Sequence, residues 1–428
     1  MEIRINPDRS RWAALAERVT AENPEIEARV RVIIDRVRQG GDEALKAISK
    51  EIDGFTQESL KVSEAGIEEA CKAIDPKVKA AIDRAYDNIY AFHKAEVPQR
   101  IEVQTAPGVT CIQKPVPIGS VGLYIPGGTA PLFSTVLMLG VPSLIAGCPR
   151  RTLCTPVGSR GRICPELLYS AWKCGIRDIW KIGGAQAIAA MAYGTESIPK
   201  ADKIFGPGNR YVTTAKQLVS GRCASIDMPA GPSEVMVLAD SQASPAFVAA
   251  DLLSQAEHGT GNEKALLVTD SKDLADAVDS AIHKFTLQAP RKKLIQKVAD
   301  NGGLLIALVS DMDRGIELIR QFAPEHFEIM TSNPDAILPK VRNTGAVFVG
   351  KWTPESAGDF AAGPSHVLPT GGSAKRFSGL TVDDFRRRTS LVQYTESDLR
   401  DALPVIEAFG AMEGLDAHAR SARIRFGK

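Results

Sequence analysis

The chain has 428 residues, 44% of them hydrophobic and 24% charged, with a net charge of +1; this is the make-up of a globular protein too long for one core, and about two to four domains are expected. So even a charge balance excludes a bulk field drawing the protein to nucleic acid or an anionic membrane. Seven cysteines with no CxxC pair predict a reducing, cytoplasmic setting and no disulfide framework, and the charged start MEIRINPDRSRW is unlike a secretory signal.

Residues 10 to 95 read as helices: SRWAALAERV, PEIEARVRVIIDRVRQ, DEALKAISKEI and PKVKAAIDRAYDNIYAFHKA carry apolar positions at i, i+3, i+4 and i+7, with Gly40-Gly41 as a stop. From 101 to 125 the pattern is extended. Val121 to Pro149 is free of charge, but its glycines and prolines keep it short of the roughly 20 continuous apolar residues of a membrane helix. It reads as a buried strand, a Gly-rich turn and a buried helix. Helix and strand then alternate twice, through RYVTTAKQLVSG and again from EVMVLAD to AVFVG, as parallel α/β units do. After Lys351 a Gly/Pro/Ser loop leads to two expected helices, DDFRRRTSLVQYT and DLRDALPVIEAFGAMEGLDAHARSARIR.

The fold class expected is α/β: two Rossmann-like doubly wound domains with an N-terminal helical segment and a C-terminal helical arm. Residues 1–114 form the helical segment, packing with 239–350 as one α/β domain. Residues 115–238 form the other, and 351–428 an active-site loop and arm.

Four of the six histidines fall in motifs. LLSQAEHGTG places Gln255 and His258 three apart, on one helix face, where they can hold one divalent cation. Glu325 and His326 follow Pro324, which disfavours helix at Ala323 and turns the chain into a loop, so both side chains can face one cavity. Asp359 and His366 lie in a Gly/Pro-rich loop, Glu413 and His418 near the C-terminus. His93 and His283 read as surface helix residues. Taken alone, each group has a structural alternative: a helix end for Gln255 and His258, turn chemistry for Asp359, a surface helix for His418. Neither HExxH nor paired CxxC spacing is present. Gly127-Gly128, Gly183-Gly184 and Gly206-x-Gly208 mark strand-end turns where α/β folds bind ligands, with Tyr124, Gln186 and Asn209 beside them. No G-x-G-x-x-G follows a strand.

The stretches GLYIPGGTAPLFSTVLML, KIGGAQAIAAMAYGTESIPKADKIFGPGN, IDMPAGPSEV, LLSQAEHG, APEHFEIM, PESAGDF with GPSHVLPT, and EGLDAH are similar to those of the histidinol dehydrogenase family, in the same order. The resemblance implies an NAD-dependent, zinc-containing enzyme, one Zn²⁺ per subunit, that takes L-histidinol through the aldehyde to L-histidine in two hydride transfers, the last step of histidine biosynthesis. It implies metal ligands Gln255, His258, Asp359 and His418, and the acid/base pair Glu325 and His326. Substrate contacts would be Ser233, His366 and Glu413, joined by the ligands and His326, and NAD contacts Tyr124, Gln186 and Asn209. It also implies a homodimer whose C-terminal arm completes the partner's site.

An imidazole with a pKa near about 6.5 is suited to take the alcohol proton, and a carboxylate beside it can activate water for the second oxidation. A thiol route through Cys148 or Cys154 is the chemical rival, although neither cysteine sits beside a histidine in the sequence. A dehydrogenase of another polar alcohol, a metallohydrolase and a binding module without turnover are the functional rivals.

Overall fold

The runs EVMVLA (234–239) and ALLVT (265–269) show no polar alternation, which suits strands covered by helices on both faces; every residue of both is buried. The computed structural model describes the chain except residues 1, 6, 8–11, 13–14, 16–17, 19–22, 55–57, 128–131, 159–160, 229–230, 259 and 428. The helix expected over residues 10–19 lies largely outside the described residues, as does part of the turn expected after Ile125.

The strands are β1 (Glu2–Ile5), β2 (Ile101–Ala106), β3 (Val109–Pro117), β4 (Ser120–Tyr124), β5 (Arg150–Cys154), β6 (Asp178–Trp180), β7 (Lys203–Phe205), β8 (Ser225–Ile226), β9 (Glu234–Ala239), β10 (Lys264–Thr269), β11 (Leu304–Leu308), β12 (His326–Met330), β13 (Ala346–Val349) and β14 (Arg386–Tyr394). The chain forms two compact units: Met1–Glu96 with Ile118–Phe385, and Val97–Pro117 with Arg386–Lys428.

The larger unit contains two parallel sheets. The first runs β6-β5-β4-β7-β8, the second β1-β11-β10-β9-β12-β13. Counted from its own first strand, each half follows the order 3-2-1-4-5 of a doubly wound fold, and β1 adds an edge to the second. The two halves thus repeat in topology.

The N-terminal helices divide differently from expectation. Pro24–Asp53 buries Val30, Ile34, Val37, Leu45 and Ile48 with the helix Gly184–Tyr193 of the first sheet. Glu64–Ala73 and Pro76–Ala95 bury Ile67, Ile74, Ile82 and Ile89 with β4 and the helix Phe133–Ala146. Among the described residues, β1, Trp12, Leu15 and Arg18 join the second sheet, while those three helices pack with 115–238 and not 239–350. Gly41, at φ 49 and ψ −134, is a non-helical kink inside the Pro24–Asp53 span. Glycine tolerates this backbone best, which gives the expected stop its physical form. His93, read as a surface residue, is buried, because the inner face of its helix, through Ile82 and Ile89, turns toward the first sheet.

The smaller unit holds the antiparallel sheet β14-β3-β2 and the helices Glu396–Met412 and Asp416–Arg423. Here TSLVQYT departs from the expected helix: Arg386–Tyr394 is a strand whose nine residues pair with β3. Its β-branched and aromatic residues favour an extended chain, and its partner lies more than 260 residues away, invisible to a local pattern. Among the described residues no helix is long and apolar enough to cross a membrane. All seven cysteines are free thiols.

Candidate active site

The amino ends of β9 and β12, side by side in the second sheet, organise the site. The helix Met312–Phe322 ends at Ala323, left-handed at φ 56, and Pro324 follows. His326 is therefore the first residue of β12, where a loop was expected. Successive strand residues face opposite ways, yet Glu325 and His326 converge because the backbone of one residue, Glu234, holds both. The Glu234 N–H donates to Glu325 Oε2 at 2.9 Å, and His326 Nδ1–H donates to the Glu234 carbonyl at 3.0 Å. A carbonyl only accepts, so Nδ1 carries a proton in this contact. Nε2 is buried without a hydrogen-bond partner, 3.5 Å from Asp359 Oδ1.

The helix Pro245–Ala256 delivers the next two groups. Gln255 is fully buried and His258 is exposed. With its amide oriented to satisfy both ends, Gln255 turns its oxygen to His258 Nδ1 at 3.1 Å and its nitrogen to the Glu234 carbonyl at 3.3 Å and Glu355 Oε1 at 3.2 Å. Asp359 sits on the wide π-type turn Gly358–Ala362, a form often found at functional sites. Gly358 permits it, since a Cβ there would lie 2.2 Å from Phe348 Cε1. His366 Nδ1–H donates to the Asp359 carbonyl at 3.0 Å, and its Nε2 meets Thr135 Oγ1, from the first sheet's side, at 3.2 Å.

Burial shapes the protonation of this cluster. It pushes Glu325 up to about 8, against the pull of His326 and the Glu234 N–H, and Glu355 up to about 7. Burial resists charge on His326 too, but Glu355, Glu325 and Asp359 outweigh it and hold the imidazole well above its ordinary value. This corrects the expectation of an unperturbed imidazole. Asp359 stays below the usual carboxylate range despite burial, through the close approach of the His326 ring and the charges of His366, His326 and His258. Burial lowers His366.

Sequence reading passed over the acids behind this front. Glu355 lies 3.7 Å from His326 Nδ1, and its N–H donates to Glu328 Oε1 at 2.8 Å. Asp251 is raised to about 6 by burial. The available signal was a carboxylate in an otherwise apolar strand, Glu328 in HFEIM and Glu234 before VMVLA, since buried acids are rare unless paired. His326, Glu355 and Asp359 also bring one donor atom each within 4.8 Å of one another.

Tyr124, Gln186 and Asn209 stand at the carboxyl ends of the first sheet's strands. The Tyr124 hydroxyl accepts from Gly184 N at 3.0 Å, Gln186 is buried, and exposed Asn209 caps the helix Arg210–Val219 through Val212 N at 3.1 Å. Gly206, at φ 119, lets the chain cross so near the Tyr124 carbonyl that a Cβ would sit 2.0 Å from it. Behind this turn buried Lys216 pairs with Asp227 and donates to the Gly206 carbonyl at 2.8 Å, and Asp227 accepts from Gly206 N at 2.8 Å. Ser233 is half-buried just before β9.

Gln255, His258, Glu325, His326, Asp359 and His366 thus share one cluster. Glu413 and His418 are exposed residues of the smaller unit. Cys148 and Cys154 are buried, and burial pushes the Cys154 thiol up, which removes the thiolate a covalent route needs.

The family model described as histidinol dehydrogenase matches residues 16–426. A histidinol dehydrogenase of Bacteroides fragilis is 49% identical over 98% of this chain and 97% of its own, and one of Vibrio vulnificus is 46% identical over 97% and 95%. The crystal structure of histidinol dehydrogenase from Elizabethkingia anophelis superposes with a TM-score of 0.95 at 39% identity, covering all of this chain and 98% of that one. Joined to the buried acid and imidazole at the head of the second sheet, these full-length likenesses establish that the chain belongs to the histidinol dehydrogenase family.

Proposed function

We propose that the oxidation of histidinol to histidine, the reaction of this family, runs here at the cluster around Glu325 and His326, with zinc and NAD as cofactors. The observation that carries this reading is His326 Nε2: buried, unpartnered and backed by an Nδ1–H that a backbone carbonyl holds. With the ring neutral, a nitrogen so placed can take the hydroxyl proton of a bound alcohol, and ionised Glu325, 3.7 Å from the same ring, can take a proton from the water that must add to the aldehyde. Each turnover consumes one histidinol, one water and two NAD⁺, and yields histidine, two NADH and the released protons.

Gln255, His258 and Asp359 would hold zinc, with His418 as fourth ligand. The fit rests on the donor set: an amide oxygen, an imidazole nitrogen and an ionised carboxylate suit a borderline cation, and Asp359 is kept ionised although largely buried. Bound there, zinc supplies Lewis acidity for gripping the substrate's amine and imidazole nitrogens. NAD is assigned to the crevice at Tyr124, Gln186 and Asn209, and accepts hydride when bound. Ser233 and His366 would contact the substrate.

His418 and Glu413 would come from a second copy in a homodimer. In support, both are exposed on a separate unit, beside Val405, Phe409 and Met412, which are 59%, 56% and 74% exposed, the kind of apolar surface that marks an interface. The test is product analysis with histidinol, NAD and zinc. Two reduced nicotinamides per histidine are expected, with no turnover after chelation; a ratio of one, or hydrolysis without nicotinamide, overturns the proposal.

A further inference from the structure

Glu234 does more than lend its backbone N–H and carbonyl to Glu325 and His326. Its side chain, 1% exposed, receives Arg18 at two points, Nε to Oε1 at 2.7 Å and Nη2 to Oε2 at 3.0 Å. Paired parallel N–H donors of this kind fix geometry as well as charge. The same guanidinium donates through Nη2 to the Phe322 carbonyl at 2.9 Å and lies 3.6 Å over the Phe322 ring. Phe322 closes the helix that leads into Ala323-Pro324-Glu325. Glu234 Oε1 also accepts from Gly371 N at 3.1 Å, beyond His366 on its loop. One cation therefore ties the head of β9, whose backbone holds the acid/base pair, to the helix end that leads into β12, and a third segment joins the same carboxylate.

We infer that Arg18, acting through Glu234, is a positioning residue for Glu325 and His326. It holds the start of β9 against the turn that precedes β12, and so sets the direction in which His326 Nε2 and the Glu325 carboxyl face the substrate. The inference rests on the proton-transfer roles proposed above for those two residues. Lysine cannot replace it: an ammonium lacks the planar fork and the stacking face.

The test compares Arg18→Met, Arg18→Lys, Arg18→Ala and the double variant Arg18→Met/Glu234→Gln, which removes both buried charges and guards against misfolding from one unpaired acid. Folding is checked by circular dichroism and zinc content by atomic absorption. A misplacement of about 1 Å can cost about 100-fold in rate, so kcat is expected to fall about 10- to 100-fold in Arg18→Met, Arg18→Lys and the double variant, with the KM for histidinol within a few-fold of the parent. Ethylguanidinium is expected to restore part of kcat to Arg18→Ala and none to the double variant, which keeps no carboxylate to hold it; a purely structural loss would not respond to the added cation. His326→Ala is measured alongside. If it loses activity while folded Arg18→Met and the double variant keep kcat within twofold of the parent, the positioning role is overturned and the base assignment stands. If His326→Ala stays active, the base assignment falls and the positioning role falls with it.

Discussion

Glu325 offers a direct handle on the second half of the reaction. Its carboxyl is buried, and desolvation outweighs both the nearby imidazole and the 2.9 Å donation from Glu234 N, leaving its pKa at about 8. A base must be ionised to accept a proton. At that pKa Glu325 is about one-tenth ionised at pH 7 and about nine-tenths at pH 9. The rate of histidinaldehyde oxidation is therefore expected to climb close to tenfold per pH unit below pH 7 and to level above about 9. Glu325→Gln keeps the size of the side chain and an acceptor for Glu234 N but cannot ionise. It should slow aldehyde oxidation by about 10²- to 10⁴-fold, flatten that pH dependence, and leave the alcohol step within a few-fold. Stopped-flow absorbance of reduced nicotinamide, started from histidinol or from histidinaldehyde, separates the two steps. Equal slowing of both, or a parent profile already flat between pH 6 and 9, would refute water activation by Glu325.

Gly358→Ala places a methyl 2.2 Å from the Phe348 ring, so the turn bearing Asp359 must shift; zinc affinity in a chelator competition should weaken about 10- to 100-fold, and unchanged affinity would detach Asp359 from the metal. Lys216→Met leaves Asp227 buried without its cation and should cost about 3–5 kcal/mol in urea unfolding; a loss below about 1 kcal/mol would show that the backbone donors alone satisfy the acid. Cys154→Ala should keep most turnover, since the thiol is buried and its pKa is raised; selective loss of the second oxidation would restore the covalent route. Mixing inactive His418→Ala and His326→Ala chains should recover part of the activity in hybrid dimers, and no recovery would point to a site within one chain.

Much of this protein is legible along the chain because it is local. Apolar runs bounded by glycine and proline mark the strands of both sheets, the pattern of helix and strand implies parallel sheets, and the spacing of Gln255 and His258 puts them at one helix end. The ordered family motifs point to the reaction. Other features depend on partners far away in the chain. Arg386–Tyr394 is a strand because β3 lies beside it, and His93 is inside because its helix packs on the first sheet. The acid/base pair is aimed by Glu234, 91 positions before Glu325, and Glu234 in turn by Arg18, 216 positions earlier still. Periodicity and turn chemistry are set by near neighbours. Burial, tautomer and the pKa of a carboxyl are set by whatever the topology folds against it, so the sequence determined which groups were available and the tertiary structure alone decided their charge and direction.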